Sequence, residues 1–328
     1  MNSAVPIPVD HLPTDAGHGR MHLLMLFVTV CWAANIIAGK EALTGFGALA
    51  LAQLRMLGAA VFYAALFVPG RLVRRLQFSW GKRFFLVVLA AGAMALNQIA
   101  FIGGMARSTV AHTGLVVALG PVMVLVIAVV IRLEALTTGK IVGMLIAFAG
   151  VGILTSDNAG QGSTGHWKGD LILLSGTLVF AIYTVLMKEV ANHFDTLTLN
   201  TLVFVLAAIM LAPFCVRAVS RTNLSAVTLE AWWGLVFLIV FGTVISYLLF
   251  AYVMTEMAAS RAAAFNYLQP VIASGLGIWV LSERLTWKVL IGGIVILAGV
   301  YLTERERGET SRGVTLSASS ARHAPDAG

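Results

Sequence analysis

The sequence predicts an all-α integral membrane protein of ten transmembrane helices, folded as two inverted five-helix repeats around a central cavity. Three observations predict this. First, 59% of the 328 residues are hydrophobic and 11% are charged, whereas a soluble domain carries about 25% charged residues. That leaves too little polar surface to face water all round, so lipid must cover much of the outside. Second, the chain divides into ten apolar runs, each close to the roughly 17 to 25 residues that cross the hydrocarbon of a bilayer at 1.5 Å per residue. Third, the second half of the chain repeats the first.

The runs are Met21 to Gly39, Phe46 to Val68, Arg83 to Met105, Thr109 to Ile131, Thr138 to Thr155, Gly169 to Met187, Thr196 to Ala218, Ala231 to Met254, Ser260 to Leu281 and Trp287 to Thr303. Residues 1–20 form an N-terminal tail, 21–155 the first repeat, 156–168 a linker, 169–303 the second repeat and 304–328 a C-terminal tail. The linker contains Gly160, Gly162, Ser163, Thr164 and Gly165 among polar neighbours, a composition that behaves as a flexible coil. The C-terminal tail is charged and then small and polar, with no apolar period, so it is expected to be disordered. Asp10 and Asp15 precede Arg20, which is not the basic start of a secretory signal.

An offset of 149 residues aligns Ala93 to Leu154 with Gly242 to Thr303 without a gap. Matching positions include Phe101 with Phe250, Met105 with Met254, Pro121 with Pro270, Glu134 with Glu283 and Gly143 with Gly292. Apolar composition alone does not bring proline, glutamate and glycine into register. At an offset of 148, Lys40-Glu41 meets Lys188-Glu189, so the first span belongs to the repeat and is not a cleaved signal. Each repeat has an odd number of spans, so the second copy crosses the membrane in the opposite sense. In carriers built this way the solute site lies near the bilayer midplane between the repeats, and access alternates as one half rocks against the other.

Orientation follows from lysine and arginine in the short loops. With a cytoplasmic N-terminus, the inner side of the first half holds Arg20, Arg71, Arg74, Arg75, Lys82, Arg83, Arg132 and Lys140, and the outer side only Lys40 and Arg107. Both termini are therefore expected in the cytoplasm, with the protein in the inner (plasma) membrane.

Several function classes are excluded. The formal charge of +7 comes from short basic clusters between apolar runs, not from a basic face, so no nucleic acid is expected as a partner. Cys31 and Cys215 lie within apolar runs and read as packing residues, giving neither a disulfide framework nor a metal site. No G-x-x-x-x-G-K-S/T loop occurs, so the chain has no ATPase site of its own. No nucleophile with a base, metal cluster or paired carboxylate lies mid-span, so neither an enzyme nor a cofactor is expected. The partners are a small-molecule substrate and the lipid bilayer, with the protein as a monomer or homodimer. A channel or uncoupled facilitator is the competing reading, and proline-broken inverted repeats favour a carrier over a permanent pore.

The run Leu268-Gln269-Pro270-Val271, then Leu281-Ser282-Glu283-Arg284-Leu285-Thr286, Gly292 and Gly299 resembles the drug/metabolite transporter superfamily, specifically proteins with two tandem EamA domains. The first half repeats this pattern more loosely as Pro121-Val122, Leu133-Glu134-Ala135-Leu136-Thr137, Gly143 and Gly150, with Ala135 where the family usually has a basic residue. Trp32, Asn35 and Lys40, and Leu54-Arg55-Met56-Leu57, also fit. The resemblance implies an exporter of a small organic solute, an amino acid, another metabolite or a drug, with helices 1, 3, 4, 6, 8 and 9 around a central cavity.

Arg55 is the one clear ionisable residue deep in a span. A charge there is costly unless it serves a purpose. Its guanidinium fork suits either the backbone carbonyls of a broken helix or a substrate. Asn97, Phe101 and Met105 share a helical stripe, with Gln98 beside them, and Ser246, Phe250 and Met254 repeat it; the stripes line a cavity or serve helix packing. Pro270 frees a carbonyl near Asn266, leaving Asn266 and Gln269 on a hydrogen-bonding face, whereas Pro121 breaks the fourth span among apolar neighbours. Trp32, Asn35, Tyr183, Tyr247 and Tyr267 complete the candidate walls. Glu134 and Glu283 each precede a threonine and a helix start and read as caps. The repeat aligns His112 with Arg261, near opposite faces, so each is a candidate gate at one mouth, and only the histidine titrates near physiological pH.

Overall fold

The computed structural model describes residues 15–71, 81–108, 110–155, 167–281 and 287–305. Residues 156–166 of the expected linker, both expected tails beyond these limits, and Glu283 lie outside the described residues.

The described chain is helical, as expected where no water is present to satisfy the backbone. The helices are α1 (Asp15–Gly45), α2 (Ala48–Arg71), α3 (Lys82–Met105), α4 (Val110–Val117), α5 (Gly120–Val130), α6 (Thr138–Thr155), α7 (Trp167–Val190), α8 (Thr196–Ser220), α9 (Leu229–Ile239), α10 (Ser246–Glu256), α11 (Ala259–Ala264), α12 (Gln269–Leu281) and α13 (Trp287–Arg305). Among the described residues six stretches are long and apolar enough to cross a bilayer alone, α9 and α10 counting as one. The fourth span is split into α4 and α5, with Pro121 at the start of α5. The ninth is split into α11, a 3-10 turn at Phe265–Leu268, and α12, with Pro270 at the second position of α12. In both places proline sits where a helix begins and its missing N–H costs least. The eighth span passes through a π-helical segment, Val240–Ile245, between α9 and α10. Side-chain caps start three helices among the described residues: Thr137 accepts from Lys140 N at 3.4 Å, Asp195 from Thr198 N at 3.0 Å, and Thr228 from Ala231 N at 3.3 Å.

Several boundaries differ from the sequence reading. α1 begins at Asp15 and α13 ends at Arg305, so residues 15–20 and 304–305, assigned to the two tails, are helical. α1 runs on past Gly39 to Gly45, since nothing in Lys40-Glu41-Ala42-Leu43 breaks a helix. α7 begins at Trp167, so the last residues assigned to the linker are helical.

The packing runs across the two halves. α1 packs along α9 and α10, while α7, its counterpart in the repeat, packs along α3; α2 packs on α8, and α6 on α13. Exchanging the halves turns each of these pairings into itself or into another of the set, as an inverted repeat requires. The principal core joins residues of both halves, among them Tyr63, Met94, Phe204 and Phe250.

The α6 to α13 crossing is set by glycine. A Cβ on Gly299 would lie 2.4 Å from Ala147 N, and one on Gly150 would lie 2.7 Å from Ile296 N. Only hydrogen fits there, so the backbones approach to the distance typical of small-residue membrane interfaces.

Candidate functional site

The centre of the bundle is organised by the π-helical segment. A π turn leaves carbonyls out of the regular ladder, and two α2 side chains supply donors to it. Arg55 donates through Nε to Thr243 Oγ1 at 2.7 Å and through Nη2 to Gly242 O at 3.0 Å. Tyr63 OH donates to Val244 O at 2.6 Å. Thr243 Oγ1 in turn donates to Leu238 O at 2.7 Å. Arg55 therefore ties down backbone of the eighth span from a position that is 2% exposed.

Arg55 also lines a cavity between the halves. The other lining residues are Trp32 and Asn35 of α1; Asn97, Gln98 and Phe101 of α3; Val117 of α4 and Gly120 of α5; Thr177 and Phe180 of α7; Tyr247 of α10; and Asn266 and Gln269 of the broken ninth span. The empty space, its open mouth included, is about 570 Å3. One wall is aromatic: the Trp32 ring centroid lies 5.7 Å from Phe180 and 5.4 Å from Tyr247.

The polar groups fall into two sets. Some are used in the fold: Asn97 Nδ2 donates to Gly176 O at 3.0 Å, joining α3 to α7, and Gln269 Nε2 donates to Asn266 Oδ1 at 2.9 Å across the break. Others are buried with no hydrogen-bond partner among the described residues: Trp32 Nε1, Asn35 Oδ1 and Gln98 Oε1 of residues that line the cavity, and the Tyr183 and Tyr267 hydroxyls. A buried polar atom without a partner is rare enough to require an explanation.

The structure brings together nine of the sequence-derived candidates on this wall: Trp32, Asn35, Arg55, Asn97, Gln98, Phe101, Tyr247, Asn266 and Gln269. Tyr183, Ser246, Phe250 and Tyr267 are buried in the surrounding packing instead. Val117, Gly120, Thr177 and Phe180 line the cavity without having been picked out. The repeat could have found three of them, because Phe180 is the counterpart of Trp32 at an offset of 148, and Val117 and Gly120 are the counterparts of Asn266 and Gln269 at 149.

At the end of the bundle where α1 finishes, Lys40 Nζ donates to Met105 O at 2.6 Å and Ser108 O at 2.7 Å, and Ser108 Oγ bonds Asp170. The opposite end repeats the first of these contacts, with Lys188 Nζ donating to Met254 O at 2.8 Å. Each lysine caps the C-terminus of a helix, as the dipole favours. Glu134, read from sequence as a cap for its own following helix, crosses instead to the other half. It accepts from Ser260 N at 2.9 Å and from Ser260 Oγ, at the start of α11, while pairing with Lys140 at 2.8 Å. Burial opposes its ionisation, but the bonds from Lys140 and Ser260 outweigh that and hold the carboxyl below its ordinary value. Arg261 follows Ser260 and is buried. His112 belongs to α4, and its side chain lies outside the described residues.

Comparison with known proteins follows the same two-part division. The model of the EamA-like transporter family matches residues 19–156 and again 167–305. An "Uncharacterized transporter" of Archaeoglobus fulgidus is 27% identical over 285 residues, covering 87% of this chain and 98% of the relative. "Uncharacterized transporter YyaM" of Bacillus subtilis is 25% identical, covering 86% and 93%. A chloroplastic WAT1-related protein of Arabidopsis thaliana is 24% identical, covering 84% and 67%. A crystal structure of a protein 16% identical in sequence superposes with a TM-score of 0.71 over 87% of this chain and 96% of that one, which shows a shared fold.

Proposed function

This chain belongs to the EamA-like transporter family, and on that premise we propose that it is a secondary transporter exporting a small organic solute, an amino acid-like metabolite or a drug, across the inner membrane by alternating access. The cavity at the seam of the two halves carries this reading. It is built from both halves, it is lined by the polar residues Asn35, Arg55, Asn97, Gln98, Asn266 and Gln269, and it has an aromatic wall of Trp32, Phe180 and Tyr247, the mixture that a small organic guest needs.

The interlocked packing argues against whole halves as the rocking bodies. α1 is held against α9 and α10, and α3 against α7, so moving one sequence half as a unit would break most of the core. The broken fourth and ninth spans are the better moving parts. They pack on one another through α5 and α11 and through α4 and α12, and each contains a non-α segment that can bend with little loss of backbone bonding. In this reading Lys40 secures one end of the pathway, while Lys188 and Glu134 secure the other. The termini are proposed to be cytoplasmic, from the basic residues of the first half.

The test is counterflow in proteoliposomes. Vesicles loaded with unlabelled amino acids at millimolar concentration are diluted into a trace of the tritiated mixture. A carrier accumulates label transiently and saturably, in proportion to the internal load. Linear entry indifferent to the load is the behaviour of a facilitating pore and contradicts the proposal.

A further inference from the structure

The π-helical segment carries one residue more than its counterpart in the first half. Ahead of it, buried Leu235 and Leu238 match buried Val87 and Ala90 at an offset of 148, whereas at 149 Leu238 would fall on exposed Leu89. Behind it, buried Thr243, Ser246 and Tyr247 match buried Met94, Asn97 and Gln98 at 149. α3 passes the same point as unbroken α-helix. The wide turn therefore absorbs an extra residue, and it lets α9 and α10 each keep the face that the repeat assigns to it.

Side-chain donors hold that turn open. Thr243 Oγ1 donates to Leu238 O at 2.7 Å and Ser246 Oγ to Phe241 O, each five residues back. From α2, Arg55 Nη2 donates to Gly242 O and Tyr63 OH to Val244 O, while Arg55 Nε fixes the Thr243 hydroxyl. The second half has no such donors at the equivalent places. At an offset of 148, Arg55 and Tyr63 meet Val203 and Leu211, buried on α8, and the α3 helix packed beside α8 is regular. A carbonyl left out of the ladder in a dry core is costly unless a donor reaches it. Once the α2 donors are gone, the regular α pattern satisfies those carbonyls better than the wide turn does. The extra residue then turns α10 by about 100° relative to α9, and each side chain takes the direction of the residue after it. Ser246, now 0% exposed, comes to the place where Tyr247 lines the cavity.

We infer that Arg55, with Tyr63, is a positioning residue: by holding the π-helical segment of the eighth span it decides which face of α10 forms the cavity wall, presenting Tyr247 and keeping Ser246 in the packing. The guanidinium acts through the helix it grips. A fork spent on one hydroxyl and one backbone carbonyl of the same turn suits that task. The inference concerns the shape of the wall and is independent of what the cavity carries.

The test is thiol reactivity of the purified protein in nanodiscs, with Cys31 and Cys215 replaced by alanine and a single cysteine placed at position 246, 247 or 177. The probe is N-ethylmaleimide. Cysteine at 246 keeps an S–H donor in place of the hydroxyl. With Arg55 present, Tyr247→Cys should react faster than Ser246→Cys. Arg55→Leu should reverse that order, moving the ratio of the two rates by about tenfold or more, as the loss of hydrogen bonds from a charged donor implies. Thr177→Cys, on α7, should keep its rate. Loosened packing alone would raise both α10 rates and leave their ratio unchanged. Tyr63→Phe, which removes one donor and is not part of the cavity lining, is the second variant and should move the ratio the same way by less; it decides alone if Arg55→Leu does not fold. A ratio that stays unchanged in Tyr63→Phe or in folded Arg55→Leu protein, or that moves toward position 247, overturns the inference. The transporter reading is judged separately, by access to the cavity from each side of the membrane.

Discussion

Replacing Gly299 with alanine probes the α6 to α13 crossing. The new methyl would lie 2.4 Å from Ala147 N, 2.6 Å from Gly143 O and 2.7 Å from Ala147 Cα. All three are backbone atoms, so no side chain can swing aside. Ordinary contact needs about 3.5 Å, so the two helices must separate by roughly 1 Å. Overpacking of this kind costs about 1 to 3 kcal/mol, against which alanine returns at most about 1 kcal/mol of helix propensity. The same substitution at Gly152 on α6 provides the control, because a Cβ there meets nothing within 4 Å. Gly299→Ala should therefore lower stability by about 1 to 2 kcal/mol, and Gly152→Ala should leave it unchanged or slightly raised. Thermal unfolding in detergent, followed by tryptophan fluorescence, reads both. Equal stability of the two variants would refute the claim that glycine sets this crossing.

Three further outcomes are expected. Tyr63→Phe removes the donor to Val244 O and should lower stability by about 1 kcal/mol, seen in the same unfolding assay. The Glu134 carboxyl is held below its ordinary value, so its contribution is present above about pH 4.3 and is lost as pH falls further; Glu134→Gln should remove that acid-dependent part of the Tm profile below about pH 4.3. For topology, with the buried Cys31 and Cys215 replaced by alanine, a cysteine at exposed Ser225 should react with an impermeant reagent on intact cells, and one at exposed Asn192 only after permeabilisation.

The fold was legible because its causes are local. Span lengths follow from apolar runs, the splits at Pro121 and Pro270 follow from a missing N–H, and the inverted relation follows from five matched spans. Much of the cavity wall was legible for the same reason, since Arg55, Asn97 and Asn266 are polar residues where lipid-facing residues would be apolar. The π-helical segment was not. Nothing in Val240-Phe241-Gly242-Thr243 announces it, because the donors that stabilise it, from Arg55 and Tyr63, come from a span far away in sequence. The partner of Glu134 was hidden likewise: its spacing to Thr137 suggests a local cap, and only the crossing of the halves brings Ser260 within reach. Phe180, Val117 and Gly120 become legible when the repeat is applied to individual positions as well as to whole spans, whereas Thr177 has no candidate counterpart to mark it.

The most direct test of the central claim is chemical access to the cavity from each side. Thr177, on its wall, is changed to cysteine in the background lacking Cys31 and Cys215, and cysteines at positions 134 and 260 are added to be bridged by a short reversible cross-linker across the contact that joins the halves there. After reconstitution in known orientation, the unbridged protein should react at position 177 with a small anionic thiol reagent applied to either face, since both access states are visited. Once bridged, it should react only from the face opposite the bridge. Reaction from neither face would mean the cavity is closed packing, and reaction from both faces with the bridge in place would mean a pore; either result contradicts alternating access.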